Sequence, residues 1–502
     1  MKFKMLIVAF LVLVVAGNIH VIRGDSVGSS SQSSETLVPP LNVTFRAKID
    51  ESIATAGDSD CGSYAIFNDK ICFNALHTPG GGRSHSLFIM DLNTGNIIWS
   101  YDAEATTSSL DGIHSYANLL LVQLDYTGEP PVGVHTWPTG GGALMALDTA
   151  TREIVWKFPT KNPGIWRLQA RDGIVYFIAN YEGIYALNVS TGKVKWLYPE
   201  LPDPESSSGA KGFNDLLLTQ DTIYASTSGV LVALDRSTGK EKSRFDFGNA
   251  SVTAAMEELV LARNVLYGNI YEYYDTNKIL NYSFIAFDPL TERFLWKTFR
   301  SPFPCGGYSN PIVTNDSVYV IWSEEEKKDQ FGGDYLNRVY ALNASTGKVR
   351  WHSQYGMFGS SYPTPPMVLD GPYLYVLGHV NVPYDTNYRY YATITAFDTR
   401  TGEKVWNYTI NRERDDSWTQ GGLLCSNGTG SRTLYLIALE FYSFDKPTPE
   451  GVVGSSEYVV YGFGPSSTKP VPELPNTSLI LTVSILALIP ILFRKRWRCE
   501  HA

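Results

Sequence analysis

The chain has 502 residues, with 41 Lys and Arg against 50 Asp and Glu, and a formal net charge of −9. This negative balance argues against nucleic acid as a partner, because binding to a polyanion depends on clustered cations. Five cysteines in a chain of this length exclude the disulfide scaffold of small secreted domains.

The first predicted elements are an export signal and a linker. Lys2 and Lys4 precede an apolar run from Met5 to Ala16, which predicts a signal peptide over residues 1–24. The stretch 25–41 is rich in serine, a composition typical of a linker that cannot form a core.

One motif is then repeated seven times: Asp or Asn, two residues, Thr, usually Gly, and Trp eight positions after the acid or amide. Six tryptophans in phase exclude an accidental pattern, and such a period is the signature of a repeat architecture. The copies begin at Asp91, Asp148, Asn188, Asp235, Asp288, Asn343 and Asp398. The tryptophans are Trp99, Trp156, Trp196, Trp296, Trp351 and Trp406, with Ser243 in the fourth copy.

Each motif predicts a strand, a tight turn and a returning strand. The Asp or Asn side chain can accept backbone N–H groups two residues on, which starts the turn. Gly at the end of the turn supplies a left-handed conformation, so Arg152 and Glu292, which replace it, predict strained turns. A small residue two positions before the acid or amide leaves room for a large neighbour, and we expect the Trp to fill it. The small residues are Ala146, Ala186, Ala233, Ala286, Ala341 and Ala396.

The spacing of the motif predicts the fold. Copies start about 51 residues apart on average between Asp91 and Asp398, and further strand-like runs lie between them. Four short strands per unit are typical of a blade of a β-propeller. The sequence therefore predicts an all-β fold of four-stranded antiparallel blades.

The chain carries more strands than seven blades need. Three strand-like runs follow Trp406, at 422–425, 433–439 and 457–461, and an orphan strand at 42–48 precedes the first copy. Phe45 lies one blade earlier in phase than Trp99. We therefore expect the N-terminal strand to complete the last blade, giving an eight-bladed propeller over 42–464. Seven blades remain as the alternative if the last strands form a cap.

This Asp-x-x-Thr-Gly-x-x-x-Trp unit resembles the repeat of the pyrroloquinoline-quinone (PQQ) type β-propellers. The resemblance implies that the six tryptophans dock between neighbouring blades. The family contains quinoprotein dehydrogenases and a non-enzymatic lipoprotein scaffold of outer-membrane β-barrel assembly, and fold alone does not choose between them.

The resemblance also implies what a catalytic member needs. Quinone enzymes of this family stack PQQ between a Trp and a disulfide of adjacent cysteines, with Ca²⁺ held by Glu, Asn and Asp. This chain has no adjacent cysteine pair, and no Asp can be matched to the catalytic one. We therefore expect the non-catalytic branch, without catalytic residues or a resident cofactor, and expect PQQ and Ca²⁺ only under the enzymatic alternative.

The C-terminal end predicts a membrane anchor. A Pro- and Ser-rich stalk over 465–476 is followed by an apolar helix over 477–493 and a basic tail over 494–502. The positive cluster belongs on the cytoplasmic side, so the propeller is expected outside the cell. This arrangement resembles the C-terminal anchors of archaeal cell-surface proteins and predicts a single-pass cell-membrane protein.

Glycosylation and disulfide formation are expected outside the cell. Two sequons, at Asn188 and Asn343, fall in repeat turns, where the side chain can be structural instead. Cys61 and Cys72 flank a predicted hairpin over 63–71, and a disulfide across it is expected. The other sequons are Asn42, Asn249, Asn281, Asn315, Asn407, Asn427 and Asn476.

The composition favours binding over chemistry. The eight histidines are scattered without metal-ligand spacing, whereas tyrosines concentrate in two segments of the longer repeats, as binding surfaces require. The sequence predicts a monomeric ectodomain that binds an envelope protein or glycan. The alternatives are a membrane-tethered quinoprotein oxidoreductase acting on an alcohol or a sugar, and a structural spacer of the surface layer. The tyrosines are Tyr271, Tyr273, Tyr274, Tyr384, Tyr388, Tyr390 and Tyr391.

Overall fold

The computed structural model describes residues 36–48, 64–77, 84–102, 107–126, 141–202, 210–227, 229–247, 253–275, 278–301, 311–329, 332–358, 367–384, 387–410, 416–418, 423–425, 433–442 and 455–465. The signal at 1–24, the helix at 477–493 and the tail at 494–502 lie outside these residues and stay predictions, as does the stalk beyond Pro465. Within the described residues, no helix is long and apolar enough to cross a membrane.

The described residues form eight antiparallel blades, and seven of them are built from consecutive strands. The first four blades contain the shorter strands. Blade 1 is β2 (Tyr64–Phe67), β3 (Lys70–His77), β4 (Ser84–Asp91) and β5 (Ile97–Asp102); blade 2 is β6 (Thr107–Tyr116), β7 (Leu119–Tyr126), β8 (Gly142–Asp148) and β9 (Ile154–Thr160); blade 3 is β10 (Ile165–Arg171), β11 (Ile174–Ala179), β12 (Gly183–Asn188) and β13 (Val194–Pro199); blade 4 is β16 (Phe213–Leu218), β17 (Thr222–Thr227), β18 (Val230–Asp235) and β19 (Glu241–Asp246). Between blades 3 and 4, β14 (Leu201–Pro202) pairs with β15 (Ala210–Lys211).

The next three blades contain longer middle strands, and blade 8 is assembled from both ends of the described chain. Blade 5 is β20 (Thr253–Ala262), β21 (Val265–Asp275), β22 (Lys278–Asp288) and β23 (Arg293–Ser301); blade 6 is β24 (Ile312–Val313), β25 (Ser317–Asp329), β26 (Gly332–Asn343) and β27 (Val349–Phe358); blade 7 is β28 (Met367–Asp370), β29 (Tyr373–Tyr384), β30 (Asn387–Asp398) and β31 (Lys404–Thr409); blade 8 is β32 (Asp416–Trp418), β33 (Leu423–Cys425), β34 (Leu434–Tyr442), β35 (Ser455–Pro465) and β1 (Leu41–Lys48).

The N-terminal strand closes the ring, as the sequence predicts. β1 pairs antiparallel with β35, and Phe45 lies opposite Gly462, where other blades place the motif Trp opposite Ala. The Phe45 ring contacts Tyr435 at 6.4 Å and packs with the core of blade 1. Eight blades are therefore present, and the seven-bladed alternative is wrong because the last strands form a blade of their own.

The segment before β1 is part of the fold. The Leu37 side chain is buried, its N–H donates to Asp370 Oδ2 at 2.6 Å, and its carbonyl accepts the Tyr375 hydroxyl at 2.8 Å. The linker predicted over 25–41 is therefore too long at its C-terminal end. An apolar residue at the end of a serine-rich run is enough to anchor the segment, because it removes apolar surface from water.

The motif turns form as predicted. In every copy the Asp or Asn side chain accepts the backbone N–H two residues on, at 2.8 to 3.1 Å. Arg152 and Glu292 adopt φ of 66° and 56° in place of Gly, a conformation that costs an L-residue about 1 kcal/mol or more. The predicted strain at these two turns is confirmed.

The motif tryptophans seal neighbouring blades, as the resemblance implies. Trp296 lies opposite Ala286 and packs with the core of blade 6, where its indole N–H donates to the Ala344 carbonyl at 3.0 Å. A Cβ on Gly347 would lie 2.7 Å from this ring, so glycine is required there for contact as well as for its φ of 69°. Trp156, Trp196 and Trp351 make the same bond to the carbonyl of the residue that follows the acid or amide of the next motif: Val189, Arg236 and Thr399.

Candidate functional site

The centre of the ring is lined by the first strand of each blade. Successive first strands contact each other, as β6 contacts β10, β10 contacts β16, and β16 contacts β20. The fourth strands, which carry the tryptophans, lie on the outside. The ring has two ends. The hairpin face is the end that carries the turns between the second and third strands of each blade. The motif face is the opposite end, which carries the repeat turns.

Bulges lie at similar positions in four consecutive first strands. The pairing register shifts at the same point in β6, β10 and β20 and one residue earlier, between Phe213 and Asp215, in β16. In each of these strands, one residue lies two positions before the residue that pairs with the same place in the second strand. These residues are Gly112, Arg167, Asp215 and Glu258, and the second-strand residues are, in the same order, Leu121, Tyr176, Tyr224 and Tyr267. A bulge turns a side chain out of the regular alternation of the strand, and here it places three charged residues on neighbouring blades side by side.

These charged residues form an ion-pair cluster, which we call the funnel triad: Arg167, Asp215 and Glu258. The Arg167 Nε atom lies 3.0 Å from Asp215 Oδ1, and its Nη2 atom lies 2.7 Å from Glu258 Oε1. The exposed fractions of the side chains are 20% for Arg167, 0% for Asp215 and 12% for Glu258. One guanidinium therefore ties the first strands of blades 3, 4 and 5 together.

Backbone groups complete the environment of Asp215. Its Oδ1 atom accepts the Leu216 N–H and its Oδ2 atom accepts the Leu259 N–H, both at 2.8 Å. A buried carboxylate is tolerated when it is paired and hydrogen-bonded in this way, and removing one partner costs about 3–5 kcal/mol. The Gln169 side chain also bridges blades 3 and 4, donating to the Leu216 carbonyl and accepting the Leu218 N–H. These bonds hold the first strands of blades 3, 4 and 5 together at the centre of the ring.

Two aromatic side chains are exposed on blade 3, the blade that carries Arg167. Trp166 directly precedes Arg167 and is 53% exposed, and Tyr181, in the turn of the hairpin face, is 60% exposed. Trp166 pairs with Ile178, three residues before Tyr181, so both lie toward the hairpin face. Tyr181 has φ of 59° and Arg167 has φ of 54°. Bulky residues rarely adopt this conformation, and such strain clusters at functional sites.

Blades 5, 6 and 7 extend the hairpin face. Their second and third strands have 11 to 13 residues, against six in blades 3 and 4. Five extra residues project about 17 Å further at the rise of a strand. The face is therefore raised over one arc of the ring and low at blades 3 and 4, where Trp166 and Tyr181 are exposed.

The predicted tyrosine segments lie in the raised arc. Tyr271, Tyr273 and Tyr274 belong to β21, and the second group belongs to β29 and β30. Tyr391 is buried and serves the core, whereas the structure gives no side-chain environment for the others. Two of the scattered histidines lie on different blades, His114 in the first strand of blade 2 and His352 in the fourth strand of blade 6.

The predicted sequons divide into four groups. Asn188 and Asn343 hold their repeat turns through side-chain hydrogen bonds, whereas Asn42, Asn315 and Asn407 are exposed, so sugar attachment there stays a prediction. For Asn281 only the backbone is described. Asn249, Asn427 and Asn476 lie outside the described residues.

Cys72 corrects the predicted disulfide. Its thiol is free and completely buried in the core between blades 1 and 2, packed near Leu87 and Leu120. The disulfide with Cys61 is therefore not formed in this structure, and Cys61 itself lies outside the described residues. The burial that encloses Cys72 also raises its pKa far above the ordinary value, so it is an unreactive core residue.

The funnel triad does not fit the quinone and calcium pair. Ca²⁺ takes six to eight oxygen ligands, whereas the Arg167 guanidinium already lies between the two carboxylates. The described part of the chain contains no group of three or more His, Cys, Asp or Glu side chains that could hold a metal ion. We derive no chemical step through a cofactor from these residues.

Sequence reasoning missed the funnel triad and the exposed Trp166 and Tyr181. Arg167, Asp215 and Glu258 lie outside the motif and about 45 residues apart, so nothing in the local pattern links them. Only an alignment of the repeats could have linked them, because each of these three residues occupies the same place relative to the second strand of its blade.

Known proteins share both the repeat and the ring. The family model described as outer membrane protein assembly factor BamB, a PQQ-type repeat, matches residues 83–353 and 283–431, more than half of the chain. Among curated relatives, the quinohemoprotein alcohol dehydrogenase of Comamonas testosteroni is 27% identical over 234 residues, covering 36% of this chain and 32% of its own. The quinoprotein alcohol dehydrogenase PedE of Pseudomonas putida is 26% identical over 238 residues, covering 42% and 37%. The chain thus spans about a third of the length of these relatives.

Solved structures support the fold alone. The quinohemoprotein alcohol dehydrogenase ADHIIG of Pseudomonas putida superposes with a TM-score of 0.52 at 12% identity, covering 91% of this chain and 83% of its own. The Comamonas testosteroni enzyme superposes with a TM-score of 0.50 at 13% identity, covering 87% and 78%. On the family match and the repeat geometry together, this chain belongs to the PQQ-type repeat family described as outer membrane protein assembly factor BamB.

Proposed function

We propose that this protein is a binding or scaffold module for an envelope component, with the low arc of the hairpin face as its contact surface. The observation that carries the proposal is the pair of exposed aromatic residues, Trp166 and Tyr181, beside a charged cluster whose members are bonded to each other. Such a surface offers a partner molecule apolar contact area in a fixed shape.

The residue types favour a protein as the partner over a glycan. Trp, Tyr and Arg dominate the energetics of protein interfaces, especially when they are held in a fixed geometry. Arg167 is fixed by two carboxylates, and a Cβ added to Gly164 would lie 3.3 Å from the Trp166 ring. The family described as an outer membrane assembly factor is consistent with this preference.

The proposed setting is the outer side of a cell membrane. The export signal, the helix at 477–493 and the basic tail support a single-pass protein with its ring outside the cell. The exposed sequons at Asn42, Asn315 and Asn407 are accessible to a glycosylation machinery there. Protease protection of intact cells tests this setting, because only an outward ring is cut from outside.

The test of binding uses a double variant, Trp166→Ser/Tyr181→Ser, as bait for solubilised envelope and for a glycan array. Wild-type protein is expected to retain a specific partner that the double variant loses by at least tenfold. The matched control is Val155→Ser, which removes another exposed apolar side chain from the outer fourth strand of blade 2. Equal retention by all three proteins would contradict the proposal, and retention of nothing would favour the structural spacer.

The second candidate function is a membrane-tethered quinoprotein oxidoreductase for an alcohol or a sugar. The observation that favours it is the sequence identity to quinoprotein alcohol dehydrogenases. Reconstitution with PQQ and Ca²⁺, followed by dye reduction with alcohols and aldoses, tests it. Turnover would establish this function and displace the binding proposal, whereas no quinone absorbance on the reconstituted protein would reject it.

A further inference from the structure

Blades 4 and 5 meet at an open cleft. The fourth strand of blade 4 carries exposed Ser243 where six other copies carry Trp. A shallow cleft, open to solvent, lies beside it and is lined by Tyr224, Ala233, Phe245 and Phe287, among others. We call this cleft the vacant indole site, because its surroundings match the places that hold an indole elsewhere.

The walls of the vacant indole site are those of an occupied one. Tyr224 lies in the second strand of blade 4, as Tyr267 does in blade 5, where its ring contacts Trp296 at 6.0 Å. Ala233 lies opposite Ser243, as Ala286 lies opposite Trp296. The tyrosine and the alanine that contact an indole in blade 5 are therefore both present in blade 4, although blade 4 has no indole at this position.

The hydrogen-bond acceptor is also kept. Pro289 follows Asp288 as Ala344 follows Asn343, and the Ala344 carbonyl accepts the Trp296 indole N–H. The turn at Asp288 retains its form, since the Asp288 carboxylate accepts the Leu290 N–H at 2.9 Å. The Pro289 carbonyl is therefore placed to accept an indole N–H, and Pro289 lines the cleft.

One feature of the rim suits an occupant that arrives from solvent, and one narrows the poses it can take. Leu290 is 89% exposed beside the cleft, an apolar contact for a partner at a turn position that is otherwise mostly polar. Glu292 replaces the motif Gly and would crowd an indole in the usual pose. Trp99 shows that an indole can still pack against a blade whose turn carries a non-glycine residue, Arg152, at this position.

We propose that the vacant indole site binds an aromatic side chain, an indole above all, presented by a partner polypeptide. The chain itself shows the chemistry of the occupant, because equivalent junctions hold an indole between the same tyrosine, alanine and carbonyl. The site lies at the outer strands toward the motif face, away from the low arc of the hairpin face, so it stands independently of the proposed function.

The first experiment measures binding of 5-fluoroindole to the whole protein by ligand-observed fluorine NMR. Wild-type protein is expected to bind with a dissociation constant in the millimolar range, the strength typical of a ligand with about ten non-hydrogen atoms. Ser243→Trp/Glu292→Gly fills the site from within and should weaken binding at least tenfold while raising the thermal unfolding midpoint. The control Ser345→Trp adds an exposed indole on another motif turn and should bind the probe as wild type does.

The second experiment selects phage-displayed peptides on wild-type protein and removes those that also bind Ser243→Trp/Glu292→Gly. Enriched peptides are expected to share one Trp whose change to Ala abolishes binding. The proposal is overturned if the probe binds both proteins equally or neither, if the double variant unfolds at a lower temperature than wild type, or if the selected peptides lack an aromatic residue.

Discussion

The junction between blades 5 and 6 and the junction between blades 4 and 5 are built on the same plan with opposite outcomes. At the first, Trp296 lies flat against Gly347 and donates to the Ala344 carbonyl. At the second, Ser243 replaces the Trp and Glu292 replaces the Gly. Ring and glycine are thus both present at the first junction and both absent at the second, although Trp99 packs against a turn that carries Arg152 in place of glycine.

Removing the indole from the sealed junction should have the largest effect. Trp296→Ala is expected to lower the free energy of unfolding by about 3 kcal/mol, because it leaves a cavity between blades and removes one of the two donors to the Ala344 carbonyl. Equilibrium unfolding in guanidinium chloride measures this loss. Ser243→Ala at the open junction is the control, with an expected change within about 0.5 kcal/mol. Equal effects at both junctions would show that the indole does not seal the blades.

Exchanging the turn residues sharpens the comparison. Gly347→Glu should destabilise by about 2 kcal/mol or more, because its Cβ would meet the Trp296 ring at 2.7 Å and its φ of 69° strains any L-residue. The reciprocal Glu292→Gly should raise the free energy of unfolding by less than about 1 kcal/mol, since relief of strain is offset by the freedom of glycine in the unfolded chain. Thermal and chemical unfolding of both variants check the asymmetry. A similar loss in both would contradict it.

The tyrosine beside the indole gives a smaller contrast. The Tyr267 hydroxyl donates to the Ala344 carbonyl at 3.2 Å, so Tyr267→Phe should cost about 1 kcal/mol. At the open junction the described residues include no hydrogen-bond partner for the Tyr224 hydroxyl, and Tyr224→Phe should cost less. Chemical unfolding of the two variants side by side measures the difference, and a larger loss for Tyr224→Phe would reverse the interpretation.

The smallest of these expected effects is the destabilisation of the motif turn of blade 4 at acid pH. Hydrogen bonds from the Ser237 and Thr238 hydroxyl groups lower the pKa of Asp235 from 3.8 to about 2. Because the folded pKa is lowered, the stabilisation is present above the ordinary pKa and is lost as the pH falls through about 2.

Asp235→Asn tests this pH dependence. Asn188 and Asn343 accept the same turn bonds in other copies, so the variant should fold normally. Its unfolding midpoint should fall less than that of wild type between about pH 5 and about pH 2. An unchanged acid response would show that this carboxylate does not contribute.

The sequence predicts the ring because its determinants are local. The turn at Asn343 depends on residues within five positions, and the phase of Phe45 relative to Trp99 places the closing strand. The funnel triad was not predictable in the same way, because Arg167, Asp215 and Glu258 meet only when three blades stack. Ser243 and Glu292 were both visible as departures from the motif. That they face each other follows only from the way one blade's outer strand contacts the next blade's turn.

The closing strand has a consequence for how the protein is made. Arg46 and Tyr461 meet across β1 and β35 although 415 residues separate them in sequence. Closing so long a loop costs conformational entropy and slows folding. A chain synthesised from its N-terminus must therefore hold β1 without its partner until the last blade emerges, and until then β1 offers an open edge to other chains.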